Sequence, residues 1–232
     1  MDADRLSKLL GDLEGDRRNG ADLGERLCDA CVEVLDVSGA GIMLMADGQH
    51  RGTFGVSNAV INVVEELQFT LGEGPCIDAF NSAKPVLEPN LVTPASNRWP
   101  GFSGPAVKAG VRAVFGFPLR TGTASLGALD LYLDHPGDLD ATQMTDAVVM
   151  AEVIANTVLA LQGAAAPGTV APELDAGLAS RAVVHQASGM LSAQLDITVD
   201  DSLVRIRAHA YTSDRSVNEV SRDIVLRQLL LD

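Results

Sequence analysis

The sequence predicts an α+β domain, an antiparallel sheet with flanking helices, followed by a small all-α three-helix bundle. Three observations carry this. Two pairs of short apolar segments are each joined by a glycine-bearing turn, the pattern of β-hairpins. Segments with helical apolar spacing stand before, between and after those hairpins. Beyond a small-residue stretch, GAAAPGTVAPELD at 163–175, every apolar repeat is helical. With 232 residues, 47% of them hydrophobic, the chain is long enough for a core in each part. The expected division is a first domain over 1–162, a joint over 163–174 and a helical domain over 175–232.

Leu6, Leu9, Leu10 and Leu13 mark a first amphipathic helix, and Leu23, Leu27, Cys31, Val34 and Leu35 a second. Asp47-Gly48 is a strong hairpin turn between strands Gly41–Met45 and Arg51–Val56. Val60–Leu67 reads as helix, Pro75–Phe80 as a short helix and Pro85–Leu87 as a strand. Strands Val111–Phe117 and Leu126–Leu133 bracket the turn segment Arg120–Ser125. Ala141–Leu161 reads as a long helix with Met144, Val148, Ala151, Ile154, Val158 and Leu161 on or near one side. After the joint, a helix over Asp175–Leu195 carries the stripe Leu178, Val184, Ala187 and Leu191. Thr198-Val-Asp-Asp201 is a capping-box-like start for Leu203, Ile206 and Ala210, and Ser216-Val-Asn-Glu219 opens Val217, Val220 and Ile224. Three such helices are marginal alone, so support from the long helix or a second copy is expected.

Net charge is −14, which argues against a broad electrostatic grip on nucleic acid or anionic membrane. The balance is uneven: residues 1–172 hold 11 Lys and Arg against 22 acids, whereas 173–232 hold 6 Arg and no Lys against 9 acids. Apolar runs such as Ala147–Ala151 fall short of the roughly 20 residues that span a bilayer, and the N-terminal segment lacks the basic start and apolar block of a signal peptide. A cytoplasmic location without membrane contact is the expectation, and three cysteines fit it, being no disulfide framework.

Candidate chemistry is sparse. Cys28-Asp-Ala-Cys31 has CxxC spacing, but structural zinc needs four ligands and no second pair is at hand, so packed thiols are the plainer reading and no metal or cofactor is expected. His50, His135, His185 and His209 are scattered. Gly72-Glu-Gly74 lacks the remaining glycines of a dinucleotide loop, and no nucleophile elbow, Walker loop or His-Glu-x-x-His occurs. No catalytic residue is expected. Cys76 opens a short helix, where a thiol pKa can be lowered, and Trp99 and Phe102 are aromatics that line a cavity or fill a core.

Leu71-Gly-Glu-Gly-Pro-Cys-Ile-Asp-Ala-Phe80, Arg98-Trp-Pro100, Ala109–Val114, Phe117-Pro-Leu119 and Leu126–Tyr132, in that order, resemble a GAF domain over most of 20–160. The resemblance implies a sensory and dimerising module with an unknown small-molecule or protein input. It places Cys76, Trp99 and Phe102 as candidate pocket residues, and the motif linked to cyclic nucleotides is not present. Ser180–Leu191, Asp201–Ala210 and Asn218–Val225 resemble an ANTAR domain over roughly 173–230. That implies a three-helix RNA-binding module of transcription antiterminators, acting as a homodimer on paired stem-loops of leader transcripts.

Ala187, Gly189, Leu191, Arg207 and Ala210 match the ANTAR pattern, with Ala187, Leu191 and Ala210 as structural positions. Ser188 stands where Lys is usual, and Ser202 and Ser221 stand where Ala is usual. The RNA-contact candidates are Arg207, Arg181, Arg205, Arg215, Gln186, Ser188 and Gly189. Gly189 either lets its helix lie close to a neighbour or leaves backbone open to a nucleotide. Two other functions remain open: a DNA-binding regulator using the last two helices as a helix-turn-helix, and a thiol-dependent enzyme on the GAF fold. The acid in Ser216-Val-Asn-Glu219 counts against the first.

Overall fold

A computed structural model describes residues 23–46, 49–93, 98–167, 169–172, 174, 182–213 and 215–231. The expected helix around Leu6–Leu13, the turn residues Asp47 and Gly48, the stretch from Asp175 through Arg181, which includes Leu178, and Asp214 lie outside them. The chain divides into two compact units between Gly177 and Leu178.

In the first unit, helix α1 (Leu23–Leu35) precedes strands β1 (Gly39–Ala46) and β2 (Gln49–Val56). Helices α2 (Ala59–Leu71) and α3 (Pro75–Ser82) and strand β3 (Val86–Glu88) follow, then α4 (Ser103–Lys108). Strands β4 (Ala113–Thr121) and β5 (Ala124–Leu133) form the second hairpin, and α5 (Ala141–Ala164) closes the unit. The strands make one five-stranded antiparallel sheet in the order β2-β1-β5-β4-β3. The second hairpin therefore slots beside β1, with Ile42 opposite Leu129 and Leu129 opposite Phe117.

The two-residue period of the strands sorts their side chains between two cores. Ala113, Phe115, Phe117 and Leu119 of β4, with Leu129, Leu131 and Leu133 of β5, meet α1 and α5. Val114 and Tyr132 point the other way, into a cluster with Ile61, Val64, Ala79, Trp99 and Phe102. Gly24 of α1 and Gly55 of β2 lie where the two backbones touch: a Cβ on Gly24 would collide with the Phe54 carbonyl, and one on Gly55 with the main chain of Gly24.

Helix ends follow sequence chemistry. Asn58 caps α2, its Oδ1 accepting from the Val60 and Ile61 amides at 3.0 Å. Gly72 ends that helix in the left-handed region at φ 68°, and Gly74 (φ 140°) precedes Pro75 at the start of α3. The Gly-x-Gly of the sequence thus serves a helix–turn–helix junction. Asp140 and Gln143 form a capping box on α5.

Helix α5 departs from expectation in two ways. Its 24 residues run past Leu161 to Ala164, and by length and composition alone it is apolar enough to cross a membrane, although its uninterrupted apolar runs are short. Its inner row, Ala147, Met150, Ala151, Ile154, Ala155 and Val158, is packed into the sheet core. Val148, expected on the packed side, faces outward at 39% exposure, because the buried row is centred on Ala147 and Ala151. Val111 and Arg112 precede β4 and do not belong to it; the strand extends instead to Thr121.

The second unit comprises α6 (Ala182–Leu195), α7 (Val199–Thr212) and α8 (Val217–Val225), with α6 packed on both others. Its core holds Val184, Ala187 and Leu191 from α6, Leu203, Ile206 and Ala210 from α7, and Val217, Val220 and Ile224 from α8. Every apolar position expected there and described is buried.

Candidate functional site

The helical unit carries most of the candidate residues, and each position follows from its helix phase. On α6, Ala187 and Ser188 turn inward together, and the Ser188 hydroxyl donates to the Val184 carbonyl at 2.8 Å. At 1% exposure Ser188 is a packing residue, not the open contact expected for it. Its small size and its bond to the preceding turn let it sit in the bundle core. Gly189, one residue on and 100° around the helix, is exposed, and among the described residues nothing beyond its own stretch of helix lies within 4 Å of where a Cβ would stand. The close-packing explanation for that glycine falls away, and open backbone is what the structure shows. Gln186 is also exposed.

Thr198 caps α7 by accepting from the Asp201 amide at 3.0 Å and donating to the Asp201 carboxylate at 2.7 Å. Leu203, Ile206 and Ala210 bury one side, leaving Arg205 exposed and Arg207 half-buried; each arginine takes part in an interaction within the fold. Val204, Arg207, Ala208 and Tyr211 are spaced i, i+3, i+4 and i+7 and share a side of the helix away from the core. Val204 and Tyr211 are 60% and 65% exposed. Neither was singled out from sequence, although their spacing is visible there.

Arg215 departs from the expected phosphate-facing cation. Its Nη2 pairs with Asp223 of α8 at 2.6 Å, while its amide donates to the Ala210 carbonyl, so it ties the α7–α8 turn together. Ser216 and Glu219 complete a capping box on α8, and the bonds from Ser216 hold the Glu219 carboxyl below its usual range. Ser202 and Ser221 are fully buried; Ser202 donates to the Thr198 carbonyl at 2.9 Å, whereas the Ser221 hydroxyl has no hydrogen-bond partner among the described residues. Arg181 lies outside the described residues.

In the first unit the three expected pocket residues do not gather in one place. Trp99 and Phe102 share a cluster, edge to face with centroids 5.9 Å apart. The Trp99 indole donates to Asp78 at 3.1 Å, and Arg98 bridges the same carboxylate at 2.9 Å while lying over the indole ring. Cys76 packs separately with Met43, Met45 and Ala128. All three thiols are buried and free. Burial raises Cys28 and Cys76 well above the ordinary thiol range and pushes Cys31 up to about 12, overriding any helix-terminus effect at Cys76.

Beside Cys76 lies a polar cluster that sequence reasoning missed. Asp130 of β5 accepts from the Gln68 amide at 2.6 Å, and Gln68 in turn accepts from the Cys76 backbone N–H at 2.9 Å. Glu65, fully buried, receives the Thr53 hydroxyl at 3.4 Å. Burial raises the Asp130 pKa to about 6. The signal available was one acid in the apolar run Leu126–Leu133. Among the described residues, no group of three His, Cys, Asp or Glu side chains could hold a metal ion.

Comparison with known families decides what this architecture is. A GAF domain profile matches residues 19–158, and an ANTAR domain profile matches 173–225. The chain belongs to the GAF domain family, with an ANTAR domain behind it. A sensory GAF domain followed by an RNA-binding ANTAR domain is the make-up of a signal-responsive antitermination regulator. The GAF sheet also resembles solved structures. A domain of a two-component sensor histidine kinase protein from Sinorhizobium meliloti 1021 is 20% identical with a TM-score of 0.51, covering 63% of this chain and 95% of that one. The GAF domain of a phosphoenolpyruvate-protein phosphotransferase from Coxiella burnetii is 13% identical with a TM-score of 0.50, covering 70% and 98%. At such identity these likenesses show the GAF fold alone. No curated protein matches the chain.

Proposed function

We propose that this GAF–ANTAR chain is a cytoplasmic, non-enzymatic regulator whose ANTAR unit, working as a homodimer, binds hairpin RNA in nascent transcripts. Its GAF unit supplies the signal by taking a small molecule or protein partner. The observation that carries the reading is the outward side of the ANTAR bundle. Exposed Gly189 and Gln186 on α6, with exposed Arg205 and half-buried Arg207 on α7, leave polar groups at the surface of a domain whose family binds RNA. With Arg215 paired internally, few cations remain for phosphate contact on one copy. Two linked copies gain through effective concentration what one lacks in charge. Signal transfer requires an input that binds two arrangements of the pair unequally.

The thiol-enzyme alternative needs a thiolate, and burial holds all three cysteines protonated at neutral pH. The helix-turn-helix alternative is weakened at α8, where Glu219 occupies the first turn of the would-be recognition helix. A titration of the full chain against a synthetic RNA with two hexaloop hairpins and against duplex DNA tests the proposal. Preference for the RNA, with Arg207→Ala weakening it by about 1–3 kcal/mol, is the expected result. Equal affinity for the two nucleic acids, or an Arg207→Ala chain that binds as before, overturns it.

A further inference from the structure

We propose that Tyr211 is a base-stacking platform: its ring takes an unpaired base of looped RNA while Arg207, one helical turn earlier, meets the neighbouring phosphate. The inference rests on the RNA reading above and assigns that reading a specific reader of loop bases.

The aromatic inventory singles out this residue. The chain holds six Phe, two Tyr and one Trp. Seven of those rings are buried and Phe80 is half-buried, which leaves Tyr211 as the exposed one. An exposed aromatic in the last turn of a helix places apolar area in water with no packing return, unless something covers it. Its neighbours say what. Arg207 stands four residues before it, and Val204 and Ala208 complete the same side of α7. A flat exposed ring one turn beyond a half-buried arginine on the same side of the helix suits one splayed-out base, with the phosphate next to it within reach of that side.

Charge limits the contact to the second half of α7. Asp200 and Asp201 lie in its first turn, where they repel a phosphate chain, while Arg205 and Arg207 lie further along. Size argues against a second copy of the chain as the occupant. Val204, Ala208 and Tyr211 are three side chains of one helix, far short of the about 800 Å² per partner that a stable interface buries.

The test uses the full chain and the synthetic two-hairpin RNA, with 2-aminopurine placed in turn at each loop position. Tyr211→Phe keeps the ring, and Tyr211→Leu keeps apolar bulk without a π face; neither touches the bundle core. Expected are near-native affinity for Tyr211→Phe and an about tenfold or greater loss for Tyr211→Leu. Quenching of 2-aminopurine at one loop position should be present with the native chain and absent with Tyr211→Leu. Native affinity in Tyr211→Leu, or an equal loss in Tyr211→Phe, overturns the inference while leaving RNA binding itself intact. A loss that accompanies a fall in molar mass by light scattering overturns it too, assigning the ring to a contact between copies. A native chain that does not prefer looped RNA over duplex DNA brings down the functional reading first, and the stacking role with it.

Discussion

Asp130 sits where the alternation of β5 turns a side chain toward α2, in line with Ala128 and Tyr132. Glu65 and Cys76 face it, Gln68 bonds to it, and burial favours its protonated form. The sign of the pH effect follows. A carboxyl whose folded pKa of about 6 exceeds the unfolded value of about 4 stabilises the fold fully below the lower value. That contribution is lost as pH rises through the upper one. Urea midpoints of the native chain should therefore fall between pH 4 and 6 and then level off, and Asp130→Asn should flatten the curve. An unchanged slope in Asp130→Asn would remove Asp130 as the source of the pH dependence. The acid itself was visible in the sequence, but Gln68 is 62 residues away, and only the sheet–helix packing reveals the partnership.

Among elements, α6 shows how far periodicity reads. The 3.6-residue repeat marked Val184, Ala187 and Leu191 as inward, and they are. Periodicity cannot say which of two adjacent small residues extends the buried stripe, since Ser188 and Gly189 are alike in lacking bulk. Packing against α7 and α8 chooses Ser188. The same ambiguity displaced Val148 on α5, where the small residues Ala147 and Ala151 took the inner row. Turn and cap chemistry was more legible: the two hairpins and the Ser216–Glu219 box stand where their residues indicated. For Gly189, the open space around it gives a decisive measurement. Gly189→Ala should raise the thermal stability of the helical unit by about 0.5–1 kcal/mol, since nothing obstructs the methyl group. If RNA approaches that backbone closely, the same change lowers affinity while the fold grows firmer; unchanged affinity would leave the glycine without a binding role.

At the scale of the whole molecule, the two units have separate cores of unequal size. The helical unit spans Leu178–Asp232, a length at which burial alone leaves little margin. Calorimetry should resolve two transitions, and the one from the helical unit should move upward with protein concentration if copies associate through it, by mass action. A single concentration-independent transition would remove the pairing of that unit from the account. The α+β layout and the helical tail were legible because both hairpins and all three tail helices carry strong local signals. The sheet order was not, because nothing local says that β5 inserts beside β1. The burial of every cysteine has a practical consequence. The native chain offers a maleimide dye no ready target, so a single surface substitution such as Lys84→Cys would carry the whole label. The distance between two copies on one transcript then becomes an optical measurement, with no background thiol to remove first.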